Sequence, residues 1–460
     1  MAVWLGILAT GTEGNAQRKY MELLVQHAQP EAYAEVLVVP RPSLSEVVVL
    51  FRIPHSWLIF TREVAQDGSV KFSSAVEVLT ILKQNEQKVS EYIWTGRPEV
   101  DTYEATKDPL QEVIGRMHFE VPPGKYQVEV RVQGAVTQHA RLIRRITVRI
   151  PGVEQPIGAI WLARRYAYPQ QSNLSVALTN LGGHVPYGDS AFALATLFMP
   201  ALEELPHQVS YALYEAEKET EKKRRAGKSP AFEKGNLLRK GTLPDSLWFY
   251  FSRVIWGEQP EQVEFVRDDS IAGIAAVIDL HGTQLADRYY WLEVYWKFAS
   301  GKEVKAEQIF ATHWRNMPVS LYDLEVAIEN LHFIVDKQTL RQLKRGNRAE
   351  KEARFRAFWA SRDPTPQTVF NELMAEYYRR IDYAARAFST GSLPAPDGLK
   401  TDRARIYIRY GPPASIRRQL AEKGQGVQEI WEYSDGKRFV FEATSSLDPF
   451  ILVAHEQSPR

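Results

Sequence analysis

Short alternating runs of apolar and polar residues dominate the first two thirds of the chain, and a longer period replaces them near residue 320. Glu35-Val-Leu-Val-Val-Pro40, Glu46-Val-Val-Val-Leu-Phe-Arg-Ile53 and Trp57-Leu-Ile-Phe-Thr61 read as strands. Val70 to Leu82, Val89 to Thr95 and Arg141 to Ile150 follow in the same manner. The clearest piece is Met117 to Val132, two alternating runs around Pro122-Pro-Gly-Lys125, with Tyr126 opening the second. About seven strands at this spacing predict an immunoglobulin-like or fibronectin-like sandwich, and Tyr126 stands where a sandwich corner keeps its tyrosine.

The pattern then repeats. Val209–Tyr214, Leu247–Phe251, Val263–Val266, Ile274–Leu280, Tyr290–Phe298 and Glu303–Trp314 read as strands. Tyr290-x-Leu-x-Val parallels Tyr126-x-Val-x-Val, again one strand before the end of its domain, so a second sandwich is expected. Trp291, Glu293 and Tyr295 share one face of their strand, and Leu292, Val294 and Trp296 the other. Both faces are largely apolar, which suits a covered central strand better than a sugar-stacking platform. The mixed charges from Glu215 to Lys240 read as a solvated long hairpin or loop.

From Ser320 the period is helical. Ser320-Leu-Tyr-Asp323 has the form of a capping box, followed by Leu324, Ala327, Ile328, Leu331 and Ile334 on one face. A second helix covers about Asn347 to Ser361. A third, with Thr365 as cap and Pro366 in its first turn, runs to about Phe388 through Phe370, Leu373, Met374, Tyr377, Tyr378, Ile381 and Ala384. Beyond the linker 389–396, Arg405 to Tyr410 alternates like a strand that Gly411-Pro412-Pro413 stops. A short helix or loop then leads to Gly426. Glu429–Tyr433 and Arg438–Glu442 flank Asp435-Gly436, a strong hairpin signal.

The expected architecture is multi-domain and mainly β. Sandwiches at 21–152 and 153–319 precede an α+β domain at 320–460, with about three helices and a small antiparallel sheet. Residues 1–20 hold a short apolar run, Ala2 to Ala9, before small residues; it reads as a truncated signal-peptide remnant or as a buried first strand or helix. No other run reaches the roughly 18 apolar residues that span a bilayer, so no transmembrane segment is expected.

Composition narrows the chemistry. Lys and Arg number 57 against 56 Asp and Glu, a net charge of +1, which speaks against bulk attraction to nucleic acid. With no cysteine there is no disulfide, thiolate metal site or thiol nucleophile. The 10 histidines are scattered, His55, His118, His281 and His313 among them, without HExxH spacing. No Walker, Rossmann or Gly-x-Ser-x-Gly pattern occurs. Neither a cofactor nor a metal is implied.

The densest cluster of special-purpose residues is Gly398-Leu399-Lys400-Thr401-Asp402, running on through Arg403 and Arg405 to Gly411, Pro412 and Pro413. An anion or substrate site is one reading. The other has Thr401 and Asp402 capping a turn while an arginine pairs with Asp363 or Glu372. Glu372 and Glu376, one helical turn apart, read as a solvated face bonded to Arg379 and Arg380. This stretch resembles the GWxTD domain, as do Phe358-Trp359 with Arg362-Asp363, Asn371-Glu372, Glu376-Tyr377-Tyr378, and Glu429-Ile-Trp431-Glu-Tyr433. Leu399 stands where the family's name has Trp. The resemblance implies a periplasmic or secreted cell-envelope protein of undefined activity and supplies no catalytic residues. The expected role is therefore a non-catalytic structural or interaction protein with a protein partner in the envelope. The alternative is a glycan-directed protein, a binding module or a hydrolase.

Overall fold

A computed structural model describes residues 13–27, 31–41, 43–65, 67–108, 110–134, 141–152, 156–170, 173–199, 204–218, 232–389, 396–420, 426–445 and 448–457. The apolar run at Ala2 to Ala9 and part of the linker at 389–396 lie outside them. The chain divides into two compact units. One comprises Gln29–Asn316 with Thr368–Phe370; the other comprises Met317–Gln367 and Asn371–Arg460 together with the N-terminal helix.

The first unit is all β and is built on the strand Ser45–Pro54, whose ten residues are all buried. Its side chains alternate between two cores. Val47, Val49, Phe51 and Ile53 face Val76, Val78, Val128 and Val130. Val48 and Leu50 face Trp161, Phe249, Phe251 and Phe265. A strand with both faces covered has no need of polar positions, hence the continuous Val-Val-Val-Leu-Phe run. Each large apolar side chain buried there contributes about 1.5–3 kcal/mol.

The two sandwiches consequently stack. The sheet of Tyr33–Val39, Ser45–Pro54 and Glu112–Val121 lies between two others. On one side is the four-stranded sheet of Val76–Gln84, Gln87–Gly96, Gly124–Gly134 and Arg141–Ile150; on the other is a seven-stranded sheet that includes Ile157–Gln170 and Gln262–Val266. A five-stranded sheet closes the second sandwich over a core of Leu162, Ala193, Leu213, Leu292 and Trp296. Both expected corners form: Tyr126 Oη donates to Pro122 O at 3.2 Å and Tyr290 Oη to Ala286 O at 2.9 Å. Strands flanking the charge run pair from Val209↔Leu243 to Lys218↔Phe232; residues 219–231, which hold most of that run, lie outside the described residues. Strands that escaped the sequence reading include Ile157–Gln170, Asn173–Leu178, Phe192–Phe198, Arg253–Trp256 and Phe232–Leu243. The last is too charged to read as a strand, and Phe192–Phe198 is almost wholly buried and so lacks alternation.

Polar groups seal the seam between the sandwiches. Arg52, only 4% exposed, donates to Glu112 Oε2 at 2.7 Å and to Glu261 Oε1. Arg164 binds the other oxygen of Glu261 at 2.6 Å, and Arg315 binds Glu112 at 2.7 Å. Asn180 Nδ2 reaches both Phe51 O and Glu261 Oε1, each at 3.2 Å. Nearby, Arg116 donates to four backbone carbonyls, those of Gly257, Gln259, Pro260 and Gln262.

The second unit holds six helices among its described residues: α1 (Glu13–Gln26), α2 (Leu324–Asn330), α3 (Lys337–Lys344), α4 (Arg348–Ala360), α5 (Glu372–Ala387) and α6 (Asp402–Tyr410). They pack on a four-stranded antiparallel sheet, Ser415–Leu420, Val427–Glu432, Lys437–Ala443 and Ile451–Gln457. Several expectations change here. Helix α1 buries Tyr20 and Leu24 in this core rather than opening the first sandwich. Ser320 lies in a 3₁₀ turn, and Asp323 caps α2 by accepting from Glu325 and Val326 N–H. Asn371, not Thr365, caps α5, so Pro366 precedes the helix and Phe370 packs in the first unit against Trp314. The segment after Pro413 is a strand, because Ile416 and its neighbours pair along the whole length of Val427–Glu432. Helix α4 is as read, with Asn347 and Glu350 closing a capping box. Gly436, at φ 84°, makes the expected hairpin turn.

Truncating Arg52 removes one of two arginine partners from each of two buried carboxylates, leaving Glu112 to Arg315 and Glu261 to Arg164. Arg52→Ala is expected to cost about 3–5 kcal/mol of unfolding free energy, whereas Arg97→Ala, on an exposed pair, should cost under about 1 kcal/mol. Denaturant titration of both variants checks the difference.

Candidate functional site in the C-terminal helix–sheet joint

The Gly398–Pro413 segment is a helix with its two ends, not a strand. Residues 396–400 form a 3₁₀ turn, and α6 follows directly. Arg-Ala-Arg-Ile-Tyr-Ile-Arg-Tyr alternates well enough to pass for a strand. It also places Ala404 and Ile408 on one helical face, and both are buried. The caps decide between the two. Thr401 Oγ1 accepts from Ala404 N–H at 3.1 Å and donates to Gly398 O at 2.8 Å, joining turn to helix. At the far end Gly411 sits at φ 83°, where a Cβ carries strain, and its N–H closes on Tyr407 O at 2.7 Å. Pro412 and Pro413 therefore end a helix.

The remaining motif residues bind the helix to its sheet. Asp402 Oδ2 accepts from Leu452 N–H at 2.8 Å, tying α6 to the last strand, while Oδ1 is paired with Arg405. Arg403, 9% exposed, lies 4.4 Å over the Phe450 ring and 5.0 Å from that of Phe388. Its guanidinium is 3.6 Å from Glu429. Burial lowers the Arg403 pKa from its ordinary value, against the pull of Glu429. Glu429, 2% exposed, also accepts from Arg418 Nε at 2.7 Å and from Trp431 Nε1 at 2.8 Å. Gly398 allows the closest approach: a Cβ would stand 2.5 Å from Ala385 O and 2.9 Å from Ser389 N. Leu399 is half-buried against the same core.

The other expected residues are buried or paired nearby. Trp359 stacks edge-on against Tyr378, and its carbonyl accepts from the α5 cap Asn371 at 2.9 Å. Tyr377 and Tyr378 donate to Asn330 O and Ala327 O at 2.5 and 2.8 Å, holding α5 to α2. Arg362 lies 3.9 Å over Phe358 and donates to Phe358 O at 2.9 Å. Asp363 accepts from Thr365 N–H at 2.9 Å, and Glu372 from Thr365 Oγ1 at 2.6 Å. The arginines of the motif thus pair with Asp402 and Glu429, not with Asp363 or Glu372. Glu376 holds Arg380 at 2.8 Å and Arg379 at 3.7 Å, as expected.

Two carboxylates that organise the joint were not singled out from sequence. Asp382 accepts from Tyr20 Oη at 2.6 Å, Val319 N–H at 2.5 Å and Ser320 N–H at 3.2 Å, joining α1, the 3₁₀ turn and α5. Burial raises its pKa against those hydrogen bonds. Its signal was an acid on the apolar stripe Tyr378, Ile381, Ala385. Glu429 gave the same signal between Val427 and Trp431 on the inward face of a strand. Among the described residues no group of three or more His, Asp or Glu is placed to hold a metal. No described helix is long and apolar enough to cross a membrane.

Residues 293–454 match the family model described as the GWxTD domain. The C-terminal region of this chain is a GWxTD domain. The match begins inside the strand Tyr289–Phe298 of the second sandwich, ahead of the helices. No curated protein matches the chain. The C-terminal domain of the Streptococcus pyogenes antigen I/II-family protein AspA is 9% identical, over 62% of this chain and 99% of that one, with a TM-score of 0.16. Escherichia coli alpha-2-macroglobulin in its native conformation is 12% identical, over 62% of this chain and 16% of that one, with a TM-score of 0.18.

In the GWxTD motif, Thr401→Ala removes a cap and should cost about 1 kcal/mol, and Thr401→Ser should restore most of it. Gly398→Ala, meeting backbone on two sides, should cost more than Thr401→Ala. Thermal unfolding followed by circular dichroism measures the series; a free Gly398→Ala would contradict the packing.

Proposed function

We propose that this chain is a non-catalytic structural or interaction protein of the cell envelope, whose two stacked sandwiches present the GWxTD domain to a protein partner. The observation that carries the reading is the use of the motif's polar groups. Thr401 is engaged with backbone on both sides, Asp402 with backbone and Arg405, and Arg403 with Glu429 and two rings. Groups satisfied inside the fold are not available to bind or turn over a substrate. Among the described residues of the motif and the joint around it, Arg403 Nε, Trp359 Nε1 and Ser320 Oγ are buried without a hydrogen-bond partner. The envelope assignment rests on the apolar run Ala2 to Ala9 and the small residues after it.

The hydrolase form of the alternative requires two carboxylates set about 5–9 Å apart across a cleft. Around the motif the described carboxylates are paired instead: Asp402 with Arg405, Glu429 with Arg403 and Arg418, Glu376 with Arg380.

The test is to incubate the full-length protein with a panel of envelope glycans, and separately to cross-link it in envelope membranes and identify stoichiometric adducts. The reading expects no turnover and a defined protein adduct. It also expects Asp402→Asn to lower the adduct only as far as it lowers folded protein. Glycan cleavage abolished by Asp402→Asn in a folded variant would overturn it.

A further inference from the structure

At one end of the seam, within the first unit, lies a cavity of about 490 Å³, apart from the GWxTD motif. Its wall includes Tyr33, Trp57 and Arg144 from the first sandwich and His184, Tyr289 and His313 from the second. The volume is that of small-molecule sites, and the junction of two domains is where such sites concentrate.

The polar groups in the wall are not equivalent. Arg144 has no hydrogen bond or ion pair with any described residue, although its Nη1 passes 3.3 Å from where a Cβ on Gly182 would stand. In a protein whose other seam arginines, Arg52, Arg164 and Arg315, are each held by a carboxylate, this one makes no ion pair, although its charge acts on the buried Glu35, whose carboxyl burial raises to about 7 against the pull of Arg144. His184 Nδ1 accepts from Ala311 N–H at 3.0 Å, so its proton sits on Nε2, leaving a second donor unengaged among the described residues. Burial, Arg144 and His313 push the His184 pKa down to about 4, which keeps the ring neutral. On the other side Tyr33 Oη is bonded to His313 Nε2 and lies 3.2 Å from the exposed Glu31. That corner offers both donors and acceptors.

We propose that this cavity binds a sugar acid, a monosaccharide-sized ring bearing one carboxylate. The planar guanidinium fork of Arg144 matches a planar carboxylate bidentately, and His184 Nε2–H adds a third donor. Arg144 beside a neutral imidazole, with the buried Glu35 already drawing on its charge, suits at most one negative charge; a phosphate, carrying nearly two, would be under-compensated. Tyr33, His313 and Glu31 are suited to ring hydroxyls. The seam hydrogen bonds of Arg52, Glu112, Glu261 and Asn180 fix the two walls relative to each other. The proposal is independent of the envelope-partner reading.

The experiment is isothermal titration of the full-length protein with D-glucuronate, D-glucose and inorganic phosphate, repeated with Arg144→Gln and Arg144→Lys. Glucuronate should bind at least about tenfold more tightly than glucose or phosphate. Arg144→Gln should remove that preference. Arg144→Lys, which keeps the charge and loses the fork, should retain part of it. Melting temperatures of the variants establish that each is folded, and the lysine variant decides the matter if the glutamine variant is not. Equal binding of glucuronate and glucose, no binding of either, tighter phosphate binding, or an unchanged preference in both variants would each overturn the assignment.

Discussion

The structure depends on one strand buried on both sides. Ser45–Pro54 belongs to the first sandwich by hydrogen bonding, yet Val48 and Leu50 lie in a core shared with the seven-stranded sheet of the second. A sandwich that keeps one sheet face for water can swing on its linker. This one cannot, because exposing Val48 and Leu50 with their partners would uncover apolar area worth several kcal/mol. Arg52 continues the same face to its rim, where a buried cation between Glu112 and Glu261 fixes register as well as contact. Such a pair is weak evidence for added stability, but breaking it is costly. That asymmetry holds the walls of the seam cavity together.

The C-terminal unit meets the same requirement with acids. Asp382 gathers three segments that are far apart in sequence, and Glu429 gathers a helix arginine, a strand arginine and an indole. The GWxTD motif is the third such node. Its threonine, aspartate and glycines each solve a backbone problem at the junction of a 3₁₀ turn, a helix and a sheet edge. Residue types that suggest an active site in a linear reading are here the ones that end helices cleanly and let backbone approach backbone.

Much of this was legible in the chain. Period-two alternation marked most strands of both sandwiches, and the two corner tyrosines marked their repeat because the corner has a fixed chemistry. Alternation failed where burial is one-sided in neither sense: Phe192–Phe198 is apolar throughout, and Phe232–Leu243 is polar along most of its length. It misled at α6, where Ile and Tyr every second residue satisfy a strand and a helix alike, and only the caps tell them apart. Pairings across hundreds of residues, such as Tyr20 with Asp382 or Arg52 with Glu261, leave a local trace only as a charged residue on an apolar face. The trace shows that a partner exists, not which residue it is.

The shared core makes the two sandwiches one cooperative body. Hydrogen exchange read by mass spectrometry on the full-length protein tests this directly. Amides of Val47–Phe51 should exchange in the same concerted event as those of Trp161–Ala163 and Val263–Phe265, which lie across the shared core. Exchange of Val47–Phe51 while the second sandwich stays protected would show that the first opens alone, and would contradict the account.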